Sequence, residues 1–253
     1  MERTGFYTLF RREIARFMKI INQTLIAPLI SSLLFIIVFG FFIGSQVPRV
    51  SGFSYLEFII PGLVMMGIIT NANSATSFSV LQAKIFKHIE EILTSPLSYF
   101  EMALALTLAG AVRGIIVGVL ILIIALLFTP VSVYNIFVFL YFMVFCSVLF
   151  SAIGIVLGLW AEKFDQVATF GNFIIQPLVF FGGVFYSLSL LPETLRAISY
   201  FNPLLYMING FRYGMLGVTD VSIVFSSIFL FVLTVLFFSW SVMLFKRGYK
   251  IRT

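Results

Sequence analysis

Phe180-Phe181-Gly182-Gly183-Val184-Phe185-Tyr186 reads as the apolar end of a membrane helix, but the chain that follows cannot continue it. Pro192, Glu193, Arg196, Asn202-Pro203, Asn209 and Arg212 come in quick succession before Gly217. One spanning helix through 181–217 would bury two arginines and a glutamate and break twice at proline. Irregular backbone at membrane depth is tolerated only where protein or a water-filled cavity satisfies its polar groups. The segment is therefore expected to form short helices that dip partway into the bilayer and return to the same side.

Working outward, six segments reach the roughly 20 apolar residues that a crossing needs. They lie near 24–44, 57–80, 102–128, 134–158, 167–187 and 222–245. The expected fold is an all-α polytopic membrane protein with six transmembrane helices, all in one domain, 1–253. Of 253 residues, 61% are hydrophobic and 10% charged, against about 25% charged in an average soluble domain. The net charge of +6 does not point to nucleic acid, because the basic residues gather at the two ends and beside the spans.

That placement orients the chain. With both termini in the cytoplasm, inside segments hold Arg3, Arg11, Arg12, Arg16, Lys19, Lys84, Lys87, Lys163, Lys246, Arg247, Lys250 and Arg252. Outside segments hold Arg49, Arg196 and Arg212, and Arg113 falls within a span. Twelve against three predicts an N-in, C-in topology. The apolar stretch at 24–44 is long enough to span, so it is read as a retained helix rather than a cleaved signal.

Residues 5–21 predict an amphipathic helix. Phe6, Leu9, Phe10, Ile14, Phe17 and Ile21 recur at helical spacing, while Arg11, Arg12, Glu13, Arg16 and Lys19 take most of the other side. Such a helix lies in the lipid interface, as a topology anchor or as a lever between a cytoplasmic partner and the first span. A second short helix is expected at 84–94, ended by Pro96. Its stripe of Ile85, Ile89 and Ile92, beside Lys87, Glu90 and Glu91, suits docking to a soluble partner or lying on the membrane surface. Gly110, Gly114 and Gly118 put small residues on one face of the third span, a pattern for close helix packing.

Catalytic chemistry is not expected. There is no Gly-x-x-x-x-Gly-Lys-Ser/Thr loop, so ATP has no phosphate cradle of that kind on this chain. His88 is the sole histidine, and no metal-ligand or triad spacing surrounds it. Cys146 is the sole cysteine, so no disulfide within the chain is available. Serines and threonines in the spans read as bonded back to their own helices. Arg113 is the intramembrane charge, either snorkelling to the boundary or lining a transport path.

Four stretches together resemble the permease of type-2 ATP-binding-cassette exporters, in its YadH-like branch. They are Arg11-Arg12-Glu13-Ile14-Ala15-Arg16-Phe17, Phe58-Ile59-Ile60-Pro61-Gly62-Leu63-Val64-Met65-Met66 and Ile89-Glu90-Glu91-Ile92-Leu93-Thr94-Ser95-Pro96, followed by Gly182-Gly183-Val184-Phe185-Tyr186-Ser187 through Leu191-Pro192, Asn202-Pro203-Leu204 and Gly210-Phe211-Arg212-Tyr213-Gly214. The resemblance covers essentially the whole chain. It implies six spans, an N-terminal connecting helix at 5–21, a cytoplasmic coupling helix at 84–94 and re-entrant helices at 188–214. It also implies a homodimer served by two separate cytoplasmic ATPase subunits, with ATP and Mg on those partners and no cofactor or metal on this chain. It leaves the cargo open among polysaccharides, drugs, lipids and other amphiphiles.

The leading expectation is thus a permease subunit of an ATP-driven exporter that moves an amphipathic or lipid-linked substrate. An ion-coupled secondary transporter is the alternative, and it would favour carboxylates inside spans. Phe181, Phe185, Tyr186, Leu190 and Leu191 are expected to narrow the exit between two protomers, or else to pack the fifth span against its neighbours.

Overall fold

The computed structural model describes residues 3–19, 22–47, 49–130 and 132–250. Among them all the regular secondary structure is helical, joined by turns and short loops, with an isolated bridge between Val50 and Phe53. α1 (Arg3–Lys19) precedes a long helical run in which α2 (Ala27–Phe35) is flanked by π-helical segments Asn22–Ile26 and Ile36–Ile43. α3 (Tyr55–Ile85), α4 (His88–Thr94), α5 (Tyr99–Ala125) and α6 (Ile136–Trp160) follow. α7 (Phe164–Phe170), a π-helical Gly171–Ile175 and α8 (Gln176–Phe180) form one further run. After a single 3₁₀ turn at Leu188–Leu190 come α9 (Glu193–Ser199), α10 (Pro203–Leu216) and α11 (Ile223–Arg247).

Among the described residues, five helices are long and apolar enough to cross a membrane: Thr24–Ile43, Tyr55–Ile85, Tyr99–Ala125, Ile136–Trp160 and Ile223–Arg247. The run 164–180 is shorter than the span read at 167–187. Gly182 and Gly183 end it, with Gly183 at φ +81°, a conformation that suits glycine. The final seven residues of that predicted span are turns, because the chain must double back to meet α9 and α10.

Local sequence sets the helix ends. Ser54 with Glu57, and Ser98 with Glu101, form reciprocal capping boxes at the starts of α3 and α5. Asn135, Asn202 and Ser222 accept bonds from the first turns of α6, α10 and α11, while Gly217 and Gly248 close α10 and α11 in left-handed conformation.

α3 is the axis of the bundle, packed between α5 and α6, and most of it is buried. Small residues make this close. Gly110, Gly114 and Gly118 of α5 face Thr76, Ala72 and Ile68 of α3, so the expected packing stripe is occupied. On the other side of α3, Gly154 and Gly158 of α6 lie against the backbone of Asn73 and Ser77. A Cβ at either position would sit 2.7 Å from a carbonyl oxygen, closer than any packing tolerates. α1 packs on α5, and α6 also meets α10 and α11.

Candidate functional site

A cavity of about 310 Å³, mostly apolar in surface but polar along one wall, opens between α2, α3 and the run 164–180. Its polar wall is Thr70, Asn71, Asn73 and Ser74 from α3, with Asn172 and Gln176 opposite. The donors of the α3 wall are spent locally. Thr70 donates to Met66 O at 2.8 Å, Asn71 to Gly67 O at 3.0 Å and Asn73 to Phe150 O at 3.3 Å. What remains toward the cavity is neutral, with amide donors and acceptors from both sides. Pro28 and the π-helical Gly171–Ile175 border the same space. π-helical turns inside α-helices are frequent at functional sites.

One helical turn beyond Gln176, four phenylalanines join the first span to the end of the run 164–180. Phe185 stacks on Phe39 at 4.3 Å and on Phe180 at 5.6 Å, and Phe35 meets Phe180 and Phe185 at 6.2 and 5.8 Å. Of the expected constriction residues, only Phe185 joins this cluster. Phe181 and Leu190 are exposed, Leu191 is half-buried, and Tyr186 donates from its hydroxyl to Phe181 O. Phe35, Phe39 and Phe180 are the members that the sequence reading missed.

The same end of the bundle carries the segment 181–221, which is tied down by polar contacts. Arg212 is 1% exposed. Its Nη2 donates to Gly183 O at 2.5 Å, and its guanidinium lies 4.0 Å from the centre of the Phe58 ring. Asn209 Oδ1 accepts from Arg212 Nη1 at 3.4 Å and from the Asp220 amide at 3.2 Å. Asp220 in turn accepts from the Ser187 hydroxyl and the Leu188 amide, at 2.6 and 3.0 Å. Asn202 Nδ2 donates to Leu178 O, and Arg196 donates to the carbonyls of Leu188, Ser189 and Leu191. The charges that forbid a single span here serve to close the backbone of a folded cap.

At the opposite, basic end, α1 brings Glu13 inward. Glu13 is 7% exposed, pairs with Arg16 at 2.8 Å and accepts from Ser79 Oγ at 2.6 Å, while Arg11 and Arg12 stay exposed. Leu9 and Phe17 are buried, as the amphipathic pattern requires; Ile21 lies outside the described residues. Arg113 faces Arg16 across a cavity of about 180 Å³, with its guanidinium 5.5 Å from the Phe17 ring.

α4 departs from the expected docking stripe. Ile89 is 3% exposed and packs with Val80, Leu106, Ile155, Leu159 and Phe245 of its own chain. Ile85 ends α3 and is exposed with Phe86, and Lys87 turns the chain at φ +60°. The three residues therefore do not share one outward face. A seven-residue helix beside the apolar ends of α3, α5 and α6 buries its best apolar residue there first. Glu90 and Glu91 point outward, and the Ile92 side chain lies outside the described residues. Lys84 reaches the carbonyls of Leu159 and Ala161, closing the end of α6. Lys250 joins Glu162 at 2.6 Å and Trp160 O at 3.2 Å.

Several long apolar helices packed around one buried axis mark a multi-pass membrane protein. The chain belongs to the ABC-2 type transporter family, whose pattern it matches over residues 4–216. It is 41% identical over 249 residues to the inner membrane transport permease YadH of Escherichia coli K12, covering 97% of this chain and 96% of that relative. It is 24% identical over 209 residues to nodulation protein J of Bradyrhizobium diazoefficiens, covering 82% of this chain and 80% of that one.

Proposed function

We propose that this chain is the membrane subunit of an ATP-driven exporter in a bacterial inner membrane, working as a homodimer with two cytoplasmic ATPase subunits. The observation that carries this reading is the cavity between α2, α3 and the run 164–180, with a polar wall on α3 in otherwise apolar surroundings and the cluster of Phe35, Phe39, Phe180 and Phe185 at the next turn. A largely apolar pocket with one neutral polar wall accommodates an amphipathic or lipid-linked cargo better than a bare ion.

The run 164–180 completes six spans in this reading, since 17 residues meet the lower bound for a crossing. Its outer surface and that of the first span carry unpartnered apolar residues, among them Ile30, Leu34 and Phe173. A second copy placed there would complete the walls of the route. With the basic end cytoplasmic, α1 acts as connecting helix, α4 as coupling helix, and α9 and α10 as the re-entrant pair. The surface offered to the ATPase is Ile85, Phe86, Lys87, Glu90 and Glu91. ATP and Mg bind to that partner, whose closure switches access through the bundle.

The test is reconstitution of the purified chain in vesicles with and without its co-purifying ATPase. Export of a labelled amphiphile that requires both subunits and ATP supports the reading. Movement driven by a proton or sodium gradient without ATP supports the ion-coupled alternative instead.

A further inference from the structure

The cavity at the basic end holds more positive charge than the chain neutralises. Glu13 is its one acidic lining residue, and that carboxylate already serves Arg16, Ser79 and, at 3.5 Å, Arg12. Arg113 has no ion pair or hydrogen bond among the described residues, and its Nε is buried without a partner. Its one specific contact is the ring face of Phe17. The nearest acid along its own helix, Glu101, is committed to the Ser98 cap, about 18 Å away along the axis. A guanidinium held in a partly buried cavity calls for an anion.

The space and its level define that anion. About 180 Å³ is an order of magnitude more than the ~10–15 Å³ that one water needs. Arg16 sits on the amphipathic helix just ahead of the apolar span that begins at Thr24, which places the cavity where a bilayer carries its headgroups. Two guanidiniums lining one cavity offer N–H donors to the oxygens of a phosphate through charge-assisted bonds. The rim at Ala75 and Phe78 is only partly covered, which leaves a way in.

We propose that Arg16 and Arg113 bind the phosphate of an anionic membrane amphiphile, one whose headgroup carries net negative charge, in this cavity. The proposal needs the chain to lie in a bilayer but does not depend on export, ATP or the identity of the cargo.

The test uses the full chain in phosphatidylcholine nanodiscs and measures binding of a fluorescent phosphatidylglycerol against its phosphatidylcholine counterpart. A preference for the anionic lipid of about tenfold is expected. Arg113→Gln should abolish that preference, and Ala75→Leu, which fills the cavity without changing its charge, should do the same. Arg247→Gln, at an exposed basic position outside the cavity, should leave it intact. Inorganic phosphate in excess separates the sources: competition marks a site open to free phosphate, and its failure to compete marks a headgroup site. Equal binding of the two lipids, or a preference that survives both cavity variants, overturns the proposal. If Arg113→Gln does not fold, Ala75→Leu alone decides.

Discussion

Phe39 of the first span and Phe185 beyond the end of α8 stack with ring centres 4.3 Å apart, joining the two walls that flank the cavity. Such a pair contributes about 0.5–1.5 kcal/mol beyond the area it buries. Phe185→Ala should therefore cost modest stability, less than the about 3–5 kcal/mol of a fully buried phenylalanine, because this ring is half-buried. If the cluster is a gate, the folded variant leaks or exports at an altered rate in vesicles. Phe181→Ala, at an exposed position, should leave transport unchanged. Unaltered transport in folded Phe185→Ala would remove the gate assignment.

Ile89 and Phe86 make opposite predictions although they lie three residues apart. A carboxylate at Ile89 would enter a closed apolar cluster, a change expected to cost more than about 3 kcal/mol and to deplete folded protein in the membrane. Phe86→Asp changes an exposed side chain, so the protein should fold normally. Its effect should appear as weaker ATPase association in pull-down from detergent. Normal yield of Ile89→Asp, or full association of Phe86→Asp, would contradict the assignment.

Arg212→Met tests the cap. The substitution keeps much of the apolar stem but leaves the Gly183 and Val184 carbonyls without their donor, at about 1–3 kcal/mol for each buried orphan. It also removes a cation over the Phe58 ring. Lower thermal stability and faster proteolysis across 181–192 are expected. Lysine should rescue only in part, because one ammonium lacks the reach and fork of the guanidinium. Wild-type protease resistance in Arg212→Met would show that the cap holds without this residue.

Glu162 and Lys250 give a pH signature at the basic end. The Lys250 ammonium holds the Glu162 carboxyl below its ordinary range, and Glu162 raises Lys250. A carboxylate with a depressed folded pKa contributes stability above its unfolded pKa, and that contribution is lost as pH falls through the folded value. Hydrogen exchange at 248–250 should therefore accelerate, relative to an internal reference amide, below the ordinary carboxylate range. Glu162→Gln should flatten that acid-side change. An unchanged profile would show that the C-terminal turn is held by the Trp160 carbonyl contact alone.

Orientation is checked by labelling in a Cys146→Ser background. Thr194→Cys and Glu91→Cys replace exposed residues at opposite ends of the bundle. Arg196 is unsuitable, since it laces three carbonyls. An impermeant reagent added outside intact cells should modify position 194 and spare position 91. The reverse pattern would invert the topology.

Spans were readable because a bilayer demands a long apolar run from each helix separately, and the segments around 24–44, 57–80, 102–128, 134–158 and 222–245 satisfy that demand without help. The caps at Ser54, Ser98 and Asn202 are local for the same reason: side chain and acceptor lie within one turn. The irregular character of 181–217 could be foretold from its prolines and charges, because no partner could make that segment a single crossing. What each polar group does there could not, since Arg212 meets Gly183 and Phe58 only after folding. Ile89 shows the same limit, because an apolar stripe states that a face will be covered and not by what. The cavity lined by Asn71 and Asn172, the Phe35–Phe39–Phe180–Phe185 cluster and the space between Arg16 and Arg113 each join residues distant in sequence. Their existence follows from how the helices pack, with the glycines of α5 and α6 drawing both helices onto α3 while the first span and the run 164–180 stand further out.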